Sequence, residues 1–294
     1  MRPKTYNKWV EPIPITAEVS ENLSEFSPII RQILYARGFD NAQLAWEFLK
    51  ASSPLEDPYL LTDMDRSVGR IQKAIAEKEQ IVVYGDFDVD GVTATALLVE
   101  VLRKLGAKVN YYIPDRINEG YGLNFNSLEK LNRQGANLII TVDCGIRSLR
   151  EVEYIQSKGT DIIITDHHYP RECIPPAYAV ICQKRKGDIY PNKNIAGVGL
   201  AYKLASALLL QYEDLSFRGE DWLDLVALGT VADIVPLTGE NRTLVRKGIE
   251  VLREGRRIGV KILAGVSGAP LQNLNAGHIG YMLGPRLNAA GRLD

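Results

Sequence analysis

Three aspartates, Asp86, Asp88 and Asp90, occupy alternate positions in the run GDFDVDGVTATA, directly before Gly91 and a helical pattern. One carboxylate there is what helix capping asks for, with Gly91 easing the bend. Three exceed that need. Each like-charged pair about 4 Å apart costs on the order of 4 kcal/mol at an effective dielectric near 20, so the group calls for a cation. Two more acids stand in comparable places, Asp143 in TVDCG and Asp166 in TDHH, each directly after an apolar run, and Asp166 is followed by His167 and His168. The chain has three histidines, of which two are adjacent here; His278 stands apart and is expected to be structural. Carboxylates with one or two imidazoles and no thiolate suit Mn²⁺ first and Mg²⁺ second. Two such ions roughly 3.5 to 4 Å apart ionise a water for attack and stabilise charge on phosphoryl oxygens. The residues by themselves point to metal-assisted phosphoester hydrolysis.

Such ligands must be held by something rigid, and the surrounding pattern supplies it. A helix is expected near residues 65 to 79, then a strand at IVVY (81 to 84), then a helix from about Thr93 to Leu105. Strands recur at KVNYYI (108 to 113), NLIITV (137 to 142) and DIIIT (161 to 165), separated by helical patterns such as SLEKLNRQ and SLREVEYIQSKG. Short, almost wholly apolar strands alternating with helices predict an α/β fold, a parallel sheet with helices on both faces. Ligands of such sheets bind beyond the carboxyl ends of the strands, where these acids lie. Residues 1 to 22 read as an extended arm because Pro3, Pro12 and Pro14 oppose helix, and two short amphipathic helices follow between Ser24 and Lys50. Beyond Pro191 the pattern is mainly helical. The expected division is residues 1–60, an arm with short helices, and residues 61–294, a catalytic domain.

Composition narrows the partners. With 35 basic and 36 acidic residues the net charge is -1, so contact with nucleic acid must come from a local basic groove rather than bulk charge. Cys144, Cys173 and Cys182 show neither CxxC spacing nor an even count, which fits reduced thiols and a cytoplasmic location. No run approaches the roughly 20 apolar residues of a membrane span.

Taken together, GDFDVDG, TVDCG, TDHH and VADIVPL resemble the DHH phosphoesterases, named for the tripeptide found here at Asp166 to His168. Longer stretches, namely GDFDVDGVTAT, PDRINEGYGLN, GVGLAYKL, LGTVADIVPL with ENR, and GPRLNAAGR, resemble the RecJ single-strand-specific exonucleases from about residue 80 onward. The resemblance implies a 5'-to-3' exonuclease of single-stranded DNA in recombination and repair. It also implies a monomer using two Mn²⁺ or Mg²⁺ ions, with a helicase or single-strand-binding protein as the expected kind of partner. Carried over by position, Asp86 and Asp88 would hold one ion, Asp90, His167 and Asp233 the other, and Asp143 would bridge both. His168 would face the scissile phosphate, with Asp166 and Asn288 in support, and Arg116 and Arg286 would hold a terminal phosphate. Apart from the resemblance, Asp233 would pass for a helix end running into Pro236, and each arginine for a solvated side chain. Tyr121, in the loop from Asn118 to Gly122, would either stack on a base or pack in the core. The family normally continues into a DHH-associated C-terminal domain and often an oligonucleotide-binding barrel; neither is present in these residues, so the single-strand clamp is expected to be incomplete. Two alternatives stay open: a DHH phosphodiesterase of short oligonucleotides or cyclic dinucleotides, and a catalytically silent module binding DNA or replication proteins.

Overall fold

Each long apolar run becomes a strand, and the elements between them become helices. The computed structural model describes residues 10–213 and 215–291, and its internal contacts divide the chain between Ser53 and Pro54. In the first unit, α1 (Ala17–Asn22) begins where Thr16 accepts a hydrogen bond from the Val19 amide, α2 (Pro28–Ala36) begins on a proline, and α3 (Ala42–Lys50) is capped by Asn41. Leu23, Phe26, Leu34 and Ala45 form its small core. The expected arm is corrected here. Residues 10–16 have no regular structure, but once the last proline is passed Thr16 caps a helical turn, and α1 takes residues 17–22 out of the expected arm. Residues 1–9, with Pro3, lie outside the described residues.

The second unit alternates α4 (Met64–Ala76), β1 (Gln80–Gly85), α5 (Val89–Lys104), β2 (Lys108–Tyr112), α6 (Phe125–Arg133), β3 (Leu138–Val142), α7 (Leu149–Ser157) and β4 (Asp161–Thr165). A fifth strand, β5 (Ala179–Ile181), is too short for its apolar run to stand out in the sequence. All pairings are parallel, and the strand order is β2-β1-β3-β4-β5. Alternation within each strand serves two cores. Ile81, Val83, Leu138, Ile140 and Ile163 pack with α4 and α5 on one face, whereas Val82, Tyr84, Ile139, Ile162 and Ile164 pack with α6 and α7 on the other.

The helical continuation is α8 (Gly197–Leu209), α9 (Leu223–Ala232), α10 (Gly239–Glu254), α11 (Ile258–Ser267), α12 (Ala276–His278) and, after a π-helical stretch at Ile279–Leu283, α13 (Gly284–Ala290). Helix α8 joins the first core through Val198, Leu200, Ala201 and Leu204. Among the described residues no helix is long and apolar enough to cross a membrane.

Candidate metal centre

The strand order reverses direction between β1 and β3, which is where open α/β sheets leave a crevice at their carboxyl edge. The turn Asp86–Asp88 follows β1, Asp143 follows β3, and Asp166 to His168 follow β4. Helix α5 starts at Val89, several residues earlier than its apolar pattern suggests, because Asp88 caps it by accepting from the Gly91 amide at 3.0 Å. Asp90 therefore sits in the first helical turn, buried, rather than in a loop.

Helix α8 closes on this turn from the other side. The amides of Gly197 and Val198 donate to the two carboxylate oxygens of Asp90 at 2.6 and 2.8 Å, so the start of the helix faces the anion. Gly197 is required there: a Cβ would stand 2.7 Å from the side chain of Asp143. Gly229 on α9 is equally constrained, since a Cβ would meet Asp90 Oδ1 at 2.9 Å and Thr93 Oγ1 at 2.4 Å. Neither glycine was singled out from the sequence, because the constraint lies across the fold and not along the chain.

Around the crevice, ligand-type atoms of Asp86, Asp88 and Asp143 lie within 4.8 Å of one another, as do those of Asp90, His167 and Asp233, and those of Asp143, His167 and His168. Asp143 and His167 each belong to two of these sets. His167 Nε2 lies 3.0 Å from Asp143 Oδ1, 3.7 Å from Asp233 Oδ2 and 3.8 Å from Asp90 Oδ2. Proximity to Asp143 is not matched by hydrogen-bond geometry: Asp143 Oδ1 is buried with no hydrogen-bond partner, and so are Asp86 Oδ1 and His167 Nδ1. Buried orphan oxygens of this kind are costly unless something outside the chain satisfies them.

Electrostatics agree with that shortage. Burial pushes the Asp86 carboxyl up to about 6, with the Asp88 charge adding to it, and burial with the Asp88 charge also pushes Asp233 to about 6. Burial raises Asp90 and Asp143 well above the ordinary range, and the neighbouring carboxylates push the same way. Burial lowers His167 to about 4, leaving its imidazole neutral, the form that binds metals. Asp166 behaves differently. Burial would raise it, but hydrogen bonds from the His168 ring and amide and from the Ile146 amide hold it below the usual carboxylate value. Asp166 Oδ1 meets His168 Nδ1 at 2.8 Å and fixes that ring, whose own pKa the contact raises.

At the cluster, two non-glycine residues have positive φ. Asp143 has φ 62° and Ile234, directly after Asp233, has φ 61°, a left-handed conformation that is unusual for a β-branched residue. Asp233 ends α9, and the turn at Ile234 reverses the chain towards Pro236. That turn is tied down by buried Asn241, whose side chain donates to Pro236 O at 3.1 Å and to Asn194 O at 2.8 Å, linking the loops before α8 and after α9.

The remaining candidates fall around this cluster. Arg116 stacks on Phe87, in the turn between Asp86 and Asp88, at 4.8 Å. Asn288 on α13 accepts from the Val89 amide at 3.1 Å and so buttresses the same turn. Arg286, also on α13, is exposed and donates to Met282 O at 2.7 Å, within its own helical segment rather than to the carboxylates. Tyr121 is neither core nor free: the residue is 52% exposed, while its hydroxyl lies 3.2 Å from both His168 Nδ1 and Asp143 O.

The single-stranded-DNA-specific exonuclease RecJ of Bacillus subtilis is 43% identical over 269 residues, 91% of this chain and 34% of its own length. The Escherichia coli exonuclease of the same name is 40% identical over 288 residues, covering 94% of this chain and 49% of its own. The chain thus spans between a third and a half of the length of these relatives. A Thermus thermophilus RecJ crystal structure in complex with Mn²⁺ superposes with a TM-score of 0.80 at 30% identity, over 96% of this chain and 40% of that one. The model of the DHH family, N-terminal domain, matches residues 80–230, from the first residue of β1 nearly to the end of α9. That stretch carries Asp86, Asp88, Asp90, Asp143, His167 and His168, and the chain belongs to the DHH family.

Proposed function

We propose that this chain carries the catalytic part of a metal-dependent 5'-to-3' exonuclease that hydrolyses phosphodiester bonds of single-stranded DNA in recombination and repair, with residues 61–294 as its catalytic domain. The observation that carries the reading is the pair of ligand sets joined by Asp143 and His167, with a buried Asp143 oxygen that no protein group satisfies. The donors fit a hard or borderline divalent cation, since they are carboxylates and neutral imidazole without thiolate. Asp86, Asp88 and Asp143 would hold one Mn²⁺ or Mg²⁺ ion and Asp90, His167, Asp233 and the same Asp143 a second. When bound, such ions supply a metal-activated water and stabilise charge on phosphoryl oxygens.

The chain's own groups do the rest. Asp166 fixes the His168 ring, so that His168 presents its other nitrogen to a phosphoryl oxygen. Helix α8 holds Asp90 in place through two amides, leaving lone pairs on both oxygens for a cation. Arg116, steadied on Phe87, would bind the strand's terminal phosphate, and Arg286 would join it from α13. The likeness to named single-strand exonucleases supports the substrate. A cytoplasmic monomer receiving its strand from a helicase or a single-strand-binding protein is the setting this activity would have.

The test is release of nucleotides from end-labelled DNA with Mn²⁺ or with chelator. Degradation of single strands from the 5' end, lost with chelator and reduced on the order of 10³-fold by Asp143→Ala, is expected. Equal digestion of duplex and single strand, activity surviving chelator, or near-normal turnover of Asp143→Ala would overturn the reading.

A further inference from the structure

Next to the metal centre lies a cavity of about 590 Å³ that none of Asp86, Asp88, Asp90, Asp143, His167 or Asp233 lines. Of the groups placed at the candidate centre it shares Asp166, His168 and Tyr121, and its wall is carried largely by the loop after β3 and the start of α7. Its volume is in the range of about 300 to 1,000 Å³ that holds small organic ligands.

The chemistry of the wall is cationic. Arg147, Arg150 and Arg171 line the cavity against two acids, Asp166 and Glu151, and Asp166 is already committed to His168 and the Ile146 amide. Arg147 is steadied by donating its Nε to Tyr169 O at 2.9 Å. Neither the Arg150 nor the Arg171 side chain has a hydrogen bond or ion pair among the described residues, so both guanidinium groups are free to meet an anion. Ser148, at the start of α7, gives that helix no side-chain cap, which leaves its first amides beside the arginines without that acceptor. Leu123, Leu149 and the exposed ring of Tyr121 add apolar surface to the same wall. In a chain whose net charge is -1, this is a local concentration of unpaired positive charge beside the residue proposed to face the phosphate.

We propose that this cavity is an anion subsite that seats the phosphate of a nucleotide beside His168, with the apolar wall against its base. The identity of the ligand as a nucleotide rests on the nuclease reading; the anion site itself does not. The phosphate belongs either to a released mononucleotide or to the strand, and the experiment separates them. Binding of thymidine 5'-monophosphate, thymidine, and a 5'-hydroxyl oligothymidylate is measured by protein-observed NMR titration in chelator, which removes any contribution of bound metal. The double variant Arg150→Glu with Arg171→Glu is compared with Arg103→Glu and Lys108→Glu, which carry the same charge change at the amino edge of the sheet.

The monophosphate is expected to bind where thymidine does not, and the Arg150/Arg171 variant to lose about tenfold or more in affinity while the control does not. Weakening of the monophosphate alone marks a product pocket, and weakening of the oligonucleotide as well marks the path of the strand. Equal binding of monophosphate and thymidine, or equal loss in the control variant, overturns the subsite. Mn²⁺-dependent cleavage by the same proteins is read separately: a chain that binds the monophosphate through these arginines but cuts nothing keeps the subsite and refutes the nuclease reading.

Discussion

Two buried polar clusters in this molecule are built on opposite principles. Between the loop at 188–196, α8 and α10, Lys203 Nζ pairs with Glu240 Oε2 at 2.7 Å and also donates to Glu56 O, while Glu240 Oε1 accepts from Tyr190 at 2.6 Å and from Asn192 at 3.2 Å. That cluster is charge-balanced and complete. At the carboxyl edge of the sheet, Asp86, Asp88, Asp90, Asp143 and Asp233 gather around a neutral His167, and two of their buried oxygens have no hydrogen-bond partner. The first cluster needs nothing from outside and reads as architecture. The second leaves buried oxygens that divalent cations would satisfy, and this sets it apart from a well-packed polar core.

The contrast breaks most visibly when one partner is removed from each. Glu240→Ala leaves the Lys203 ammonium buried and unpaired and is expected to cost about 3 to 5 kcal/mol in denaturant unfolding. Asp143→Asn, measured in chelator, is expected to do the reverse and stabilise the fold by about 1 kcal/mol, because it removes one of several mutually repelling charges. A loss from Asp143→Asn comparable to that from Glu240→Ala would mean that both clusters are internally satisfied.

Adding metal should act on one cluster alone. Mn²⁺ at a free concentration 100 times its dissociation constant is expected to stabilise the wild type by about 2.7 kcal/mol, and Asp143→Asn by clearly less. Melting temperatures with chelator and with Mn²⁺ check this, and identical curves for the wild type would remove the cation from the account.

A pH series sharpens the same point. Asp86 and Asp233 are raised from 3.8 to about 6 in the folded protein, so between those values the native state binds more protons than the unfolded chain. Metal-free stability should therefore fall as pH rises from about 4 to about 6 and stay reduced above it. Saturating Mn²⁺ should flatten that fall, and a metal-free protein that instead gains stability over this window would contradict the crowded carboxylates.

The smallest expected effect lies at the rim. Arg116→Ala or Arg286→Ala is expected to lower the preference for a 5'-phosphorylated over a 5'-hydroxyl strand by about tenfold while leaving the Mn²⁺ stabilisation intact. Unchanged discrimination in both variants would return these arginines to ordinary surface chemistry.

Much of this was written locally in the chain. The apolar runs at 81–84, 137–142 and 161–165 form strands because burial on both faces of a parallel sheet favours mostly apolar residues, and Asp86, Asp88, Asp143 and the histidine pair follow those runs within four residues, so their convergence at one edge was legible. Other features have no local signal. Helix α5 begins at Val89 because Asp88 caps it, β5 pairs through three residues only, and Tyr121 is held by its hydroxyl. Asp233 reaches the cluster from the end of α9 through a left-handed turn at Ile234, and Gly197 and Gly229 are small because Asp143 and Asp90 lie against them. Which groups stand at strand ends follows from hydrophobic period and turn chemistry within a few residues of chain. Which distant backbone approaches them, which oxygens are left unpaired, and where unpaired arginines line a cavity emerge only from the folded chain, because those depend on packing between elements far apart in the sequence.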